Sequence, residues 1–272
     1  MSFVKRLDEA RRGYAKGDKG ASAAAHDPGR IAQAIRGKEE HGGAGSQYIG
    51  DLVYGGLDGI VTTFAVVSGV AGANLGTGVI LILGLANLFA DGFSMATGAY
   101  LSSKSEQEYY DKERQRELWE VEHFPEGERM ELYELYREKG YSGKEAGQVI
   151  DILTHDKTRW VDAMMVDELG LLKDEGSPLF NGLATLMAFI VAGVVPLLVY
   201  LLGLAVPVPP GVAFPISLVL SALALFGLGV AKVLVTHLNP LRSGLEMLLV
   251  GGLAAIVAYA VGALLKGLGG QG

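Results

Sequence analysis

The chain has no cysteine in its 272 residues. Disulfides, iron–sulfur clusters and thiolate zinc sites are thereby excluded. EF-hand loops and His-Glu-x-x-His zinc patterns are absent too. Basic side chains are in deficit, 23 against 30 acidic ones, and the deficit is local. Residues 101–175 hold 20 of the acids and 11 of the bases, while the rest of the chain is close to neutral. Phosphate binding needs a basic surface, so nucleic acid is not expected as a partner.

Long apolar runs are what the chain has in quantity. Half of its residues are hydrophobic, and they are clustered. A helix needs roughly 20 mostly apolar residues to cross about 30 Å of hydrocarbon. Five stretches qualify, at 50–74, 78–102, 179–206, 212–236 and 245–266. They are too long and too numerous for one cleavable signal peptide, and too long for the core helices of a soluble protein. The expected fold is an all-α membrane protein. Five transmembrane helices carry a three-helix cytoplasmic metal-binding insert between spans two and three.

The expected organisation is a flexible N-terminal tail (1–47), spans one and two (48–103), the acidic insert (104–175) and spans three to five (176–272). Within the tail, an amphipathic helix over Phe3–Tyr14 is conceivable, whereas Gly17–Ala25 and Gly42–Gly45 read as flexible. After Tyr100 the chain turns polar without a Gly or Pro break, so span two should continue as a helix to about Glu122. Pro125 starts a second helix that ends near Gly140. Ser142 and Glu145 have capping-box spacing at the start of a third, ending near Gly170. Arg30, Arg36 and Lys38 precede span one, and Lys232 and Arg242 flank the loop between spans four and five. The loops at 72–78 and 207–211 carry no basic residue. The positive-inside rule then puts the N-terminus and the insert in the cytoplasm.

The first two spans each contain a carboxylate, Asp58 and Asp91. An acid within the bilayer costs at least about 2.5–3.5 kcal/mol on insertion scales, and such acids commonly line ion or proton paths. At about 1.5 Å per residue, Asp58 and Met95 fall at similar depth on antiparallel neighbours. Asn87, Asp91 and Met95 share one helix face, as do Tyr54, Asp58 and Thr62. A carboxylate can exchange a proton for a cation, and a thioether favours softer first-row metals over Mg²⁺ and Ca²⁺. The competing reading of Asp58 is a hydrogen bond to a neighbouring helix. Glycines in spans one, two and five allow close helix packing.

In the insert, Glu117 and Glu120 are i, i+3, as are Glu128 and Glu131, and Met164 and Glu168 are i, i+4 beside Met165. Each group occupies one helix face. Their convergence would make an oxygen-rich cage with thioether neighbours, whereas a charge-dense helix is more often a solvated face. Arg114, Arg116 and Arg129 could pair with the acids at the surface. His123 and His155 are candidate extra ligands, although lone histidines on acidic helices are more often surface residues.

Two stretches resemble the vacuolar iron transporter family. They are Asp51-Leu-Val-Tyr-Gly-Gly-Leu-Asp58-Gly-Ile-Val-Thr-Thr-Phe and Ala90-Asp-Gly-Phe-Ser-Met95-Ala-Thr-Gly-Ala-Tyr-Leu-Ser-Ser-Lys-Ser-Glu106. The order of two spans, acidic insert and three spans is similar as well, over residues 48–266. The resemblance implies a non-enzymatic Fe²⁺/H⁺ antiporter that removes metal from the cytosol. Mn²⁺, Co²⁺, Ni²⁺ and Zn²⁺ are further candidate substrates, and no prosthetic group is implied. Asp58 and Met95 match the family's path residues. Glu117, Glu120, Glu128, Glu131, Met164, Met165 and Glu168 match its cytoplasmic metal-binding positions. A homodimer in the bilayer, with a path between protomers, is implied. Plant members carry a glutamate where this chain has Asn87, and Asp91 is placed to take over its charge. The second-span motif and the lack of an organelle signal point to a prokaryotic plasma membrane. The alternatives are a Mn²⁺ exporter of the same fold and a membrane-anchored metal-binding protein that transports nothing. A di-iron oxidase would need paired Glu-x-x-His motifs, and Glu120-Val-Glu-His123 has no second copy.

Overall fold

The computed structural model describes residues 9–31 except Arg11 and Ala15. It also describes 49–266 except Glu175, Pro207, Pro210, His237 and Leu238. The described residues are helical and joined by turns, without strands. Five helices are long and apolar enough to cross a membrane.

α1 (Lys19–Ala25) lies where a flexible Gly17–Ala25 was expected. The correction has a local cause. Asp18 accepts from the backbone N–H of Gly20 at 2.9 Å and of Ser22 at 3.1 Å, which starts the helix, and alanine then propagates it cheaply. The expectations for Phe3–Tyr14 and Gly42–Gly45 fall mostly or wholly outside the described residues.

The chain forms two compact units. One comprises the residues up to Phe93 and from Ala184 onward. It contains α2 (Ile49–Gly72), the first part of α3 (Thr77–His123), most of α7 (Pro178–Gly193), α8 (Leu198–Leu202), α9 (Ala213–Thr236) and α10 (Pro240–Leu265). Its core gathers Phe64 and Val67 from α2, Ile80 and Leu81 from α3, Leu197 and Tyr200 from the third span, and Ala255 from α10. Backbones approach closely. A Cβ on Gly59 of α2 would collide with the Phe189 carbonyl oxygen of α7, and one on Gly262 of α10 with the Gly69 carbonyl oxygen of α2. Leu249, Leu253, Ile256, Val257 and Leu264 of α10 point outward, as suits a helix surrounded by hydrocarbon.

The third span is interrupted. It passes through a 3-10 turn at Val195–Leu197. Pro196 has no N–H to donate, so the α ladder fails there. The Leu197 N–H reaches instead to the Val194 carbonyl at 2.9 Å. The Pro196 carbonyl, buried with its helix partner lost, accepts from the Ser217 hydroxyl of α9 at 2.6 Å.

The second unit is Ser94–Leu183. Here α3 continues as one helix to His123, as expected from its unbroken polar sequence. α4 (Pro125–Glu138) starts on its proline and ends before Gly140, whose φ is +96°. α5 (Gly143–Leu153) has the expected capping box. Ser142 Oγ accepts from the Glu145 N–H at 3.3 Å, and Glu145 Oε2 accepts from the Ser142 N–H at 2.8 Å. The expected third insert helix is in fact broken. Thr154 ends α5, with its N–H and hydroxyl both donating to the Ile150 carbonyl at 2.8 Å. Asp156 then caps a separate helix, α6 (Lys157–Ala163), by accepting from the Arg159 N–H at 3.0 Å. A π-helical turn at Met164–Glu168 follows. The core of this unit is Val121, Leu132, Ile150, Trp160, Val161, Met164 and Met165. Burial of each such large side chain stabilises by about 1.5–3 kcal/mol.

Gly262→Ala should destabilise the first unit by about 1–3 kcal/mol, because backbone, not a flexible side chain, opposes the new methyl. Gly252→Ala, with no atom within 4 Å of its Cβ position, should be neutral or slightly stabilising. Thermal unfolding of the detergent-solubilised protein compares the two.

Candidate metal centre

Three carboxylates meet in the second unit. One oxygen from each of Glu117, Glu128 and Glu168 lies within 4.8 Å of the other two. They come from three elements: α3, α4 and the π-turn. Glu117 is fully buried and Glu128 nearly so, whereas Glu168 reaches solvent. Core packing places them. Leu132 lies one helical turn beyond Glu128, and Val121 one turn beyond Glu117, so each acid shares a helix face with a residue of the same buried core.

The π-turn orients Glu168. The Leu169 N–H bonds the Met164 carbonyl in an i→i−5 step at 3.2 Å, and the Leu171 N–H bonds the Met165 carbonyl at 2.8 Å around Gly170, whose φ is +64°. That second bond spans six residues, and Gly170 in the left-handed region ends the helix there. Asp167, next to Glu168, is tied to α4. It accepts from the Tyr136 hydroxyl at 2.9 Å and pairs with Lys139.

Glu117 Oε2 and Glu128 Oε2 are buried with no hydrogen-bond partner. A buried polar atom without a partner costs about 1–3 kcal/mol, more when charged. Burial pushes the Glu117 carboxyl up to about 7, with Arg116 opposing and Glu168, Glu120 and Glu131 adding to the rise. Burial, then the charges of Glu131, Glu117, Glu120 and Glu168, pushes Glu128 up to about 7 as well. Glu168 is also raised, by burial and then by Glu131, with Arg116 opposing. Converging carboxylate oxygens, two of them buried without a protein partner, suit a hard or borderline divalent cation.

Not every candidate joins this group. Glu120 bonds Arg116 instead, at 2.5 Å. Glu131 lines an adjoining groove of about 300 Å³ with Glu134, Glu138 and Glu168. Met164 and Met165 are fully buried among apolar neighbours. His123 stacks on Trp119 at 4.5 Å and bonds its carbonyl, and His155 is exposed. Of the arginines expected to pair with the cage acids, only Arg116 does. Arg114 pairs with Asp162 at 2.7 Å and Arg129 with Asp151 at 2.5 Å.

In the first unit, Asp58 and Asp91 are half-buried and close enough for their charges to repel. Asn87 is half-buried, and its amide Nδ2 is buried without a partner. Tyr54 is exposed, and the Thr62 hydroxyl donates to the Asp58 carbonyl at 2.8 Å. Thr63, one residue on, was not singled out from the sequence. It is fully buried and its hydroxyl has no partner. Met95, at the start of the second unit, is half-buried.

Residues 49–263 match the VIT family. A protein of Toxoplasma gondii called vacuolar iron transporter is 40% identical over 96% of this chain and 88% of its own length. A Plasmodium falciparum protein of the same name is 31% identical, covering 96% and 97%. Vacuolar iron transporter 1 of Arabidopsis thaliana is 34% identical, covering 81% and 87%. The chain belongs to the VIT family. These relatives are eukaryotic and called vacuolar, so the expectation of a prokaryotic plasma membrane finds no support among them.

The raised carboxyls set a pH dependence. A carboxyl with a raised folded pKa contributes stability below its unfolded value, and that stability is lost as pH rises through the folded value. Without added metal, thermal stability should therefore fall between about pH 5 and pH 8, as Glu117 and Glu128 ionise. Glu117→Gln combined with Glu128→Gln should flatten that slope in melts taken across the range.

Proposed function

We propose that this VIT family member carries divalent transition metal, Fe²⁺ first, out of the cytosol across its membrane in exchange for protons. The observation that carries the reading is the meeting of three carboxylates with two buried, unpartnered oxygens. A surface ion-pair network would not leave those oxygens bare. The names of the relatives supply iron as the first substrate to test.

In this reading residues 104–175 are a cytoplasmic domain that collects metal. Glu117, Glu128 and Glu168 bind first, Glu120 and Glu131 make up the outer ring, and Met164 and Met165 anchor the π-turn that carries Glu168 in the apolar core. The ion then moves past Met95 and Asp58. Asp58 and Asp91 are half-buried acids on the first two spans, and a carboxylate there can hold either a cation or a proton, which is the minimal chemistry of exchange. Asn87 adds a polar group to the same lining. A homodimer with the path between protomers completes the proposal.

The test is flux into proteoliposomes under an imposed pH gradient, offering Fe²⁺ and then Mn²⁺, Co²⁺, Ni²⁺ or Zn²⁺. Flux should follow the gradient, Asp58→Ala should abolish it, and Glu117→Gln should lower metal affinity at least tenfold, on the order of one charged ligand lost. Metal binding without flux under any gradient would replace the transporter with a membrane-anchored metal-binding protein.

A further inference from the structure

Arg116 is a permanent cation built into the edge of the carboxylate group. Its guanidinium donates Nε to Glu113 Oε2 at 2.9 Å, Nη2 to Glu117 Oε1 at 2.6 Å and Nη1 to Glu120 Oε2 at 2.5 Å. These are the lengths of charge-assisted bonds. Glu117 is thus divided. One oxygen is on Arg116, and the other is buried without a partner, in the residue that stands within 4.8 Å of Glu128 and Glu168. Glu120, one turn along the same face, is drawn to Arg116 and stays out of the three-carboxylate group.

We propose that Arg116 competes with the metal ion and sets both the affinity and the selectivity of the site by holding Glu120 in reserve. A divalent ion enters between Glu117, Glu128 and Glu168, and Glu120 joins it only as Arg116 releases its oxygen. The inference rests on the metal-binding reading above and deepens it. An arginine stays charged at any working pH and its fork is rigid, so its hold on two of the carboxylates is subtracted from every metal affinity. Release does not require unfolding. The Arg116 side chain is 42% exposed and keeps Glu113, which is not among the three, as an anchor.

Selectivity follows from ligand count. Ca²⁺ takes six to eight oxygens, whereas first-row metals are satisfied by fewer donors and softer ones. With Glu120 held by Arg116, an ion that needs many oxygens is left short. Removal of Arg116 should therefore help Ca²⁺ more than Mn²⁺.

The experiment is calorimetric titration of the full-length protein in detergent with Mn²⁺ and with Ca²⁺. It compares wild type, Arg116→Gln, Glu120→Gln and the double variant. Arg116→Gln should tighten Mn²⁺ binding by about tenfold, the worth of one charge-assisted bond, and Ca²⁺ binding by more. Glu120→Gln should cost little in the wild type and about tenfold once Arg116 is gone. A merely structural role for Arg116 would move neither the Mn²⁺/Ca²⁺ ratio nor this coupling. Should Arg116→Gln fail to fold, Arg116→Lys serves, since it keeps the charge but loses the fork. A severalfold gain supports the proposal, and no gain overturns it. Binding by the wild type that Arg116→Gln weakens or leaves unchanged overturns this inference alone. No binding by the wild type overturns the metal reading and this inference together.

Discussion

Like charges buried away from bulk solvent repel, and the Ser94–Leu183 unit gathers three carboxylates, two of them in that situation. Glu117 and Glu128 each share a helix face with a residue of the buried core. Both carboxylates are buried, Glu117 fully and Glu128 nearly so, which reduces the solvent screening of their charges. Three responses relieve the strain. Burial raises the carboxyl pKa values so that protons can neutralise them. Arg116 offers a fixed positive charge at one edge. In the proposed function a divalent cation satisfies the remaining oxygens. In the function proposed above, these sources of positive charge exchange, because whichever enters displaces another.

The first unit meets a different constraint. Its helices have almost no charge to hold them together, so contact depends on how near the backbones come. Gly59 and Gly262 remove the side chains that would keep α2 from α7 and α10. In that tightly fitted apolar setting, Asp58, Asp91, Asn87 and Thr63 are conspicuous. The Thr63 hydroxyl and the Asn87 amide nitrogen are buried there without a partner, and polar groups at such depth are costly in hydrocarbon.

Much of this was legible in the residues. Five apolar runs of spanning length, the Ser142–Glu145 cap and the proline start of α4 all rest on local chemistry, and each is where the sequence puts it. The pairs Glu117/Glu120 and Glu128/Glu131 were legible as pairs, because i, i+3 spacing fixes a shared face. Which member of each pair turns inward was not legible. That choice depends on tertiary packing, and on Arg116 claiming Glu120. The break between α5 and α6 left a signal that was passed over, Asp156 three residues before Arg159, because no glycine or proline marked it. Pro196 was visible too, but its position inside an otherwise seamless apolar run hid its effect. The helical segment at Lys19–Ala25 was obscured by the glycines around it. The turn at Met164–Glu168 left no sequence signal at all.

That turn fits five residues where a regular helix would lay down four. Each residue of an α-helix advances the side-chain direction by about 100°. Everything downstream of such an extra residue therefore faces elsewhere than a count along the sequence would suggest. Glu168 owes its bearing to one surplus residue, with Asp167 pinned to Tyr136 and Lys139 so that the surplus cannot slide along the chain. For comparison with relatives, chain length through this segment is then as much a determinant of the site as residue identity. A homologue with every glutamate in place but one residue fewer here would present a different constellation.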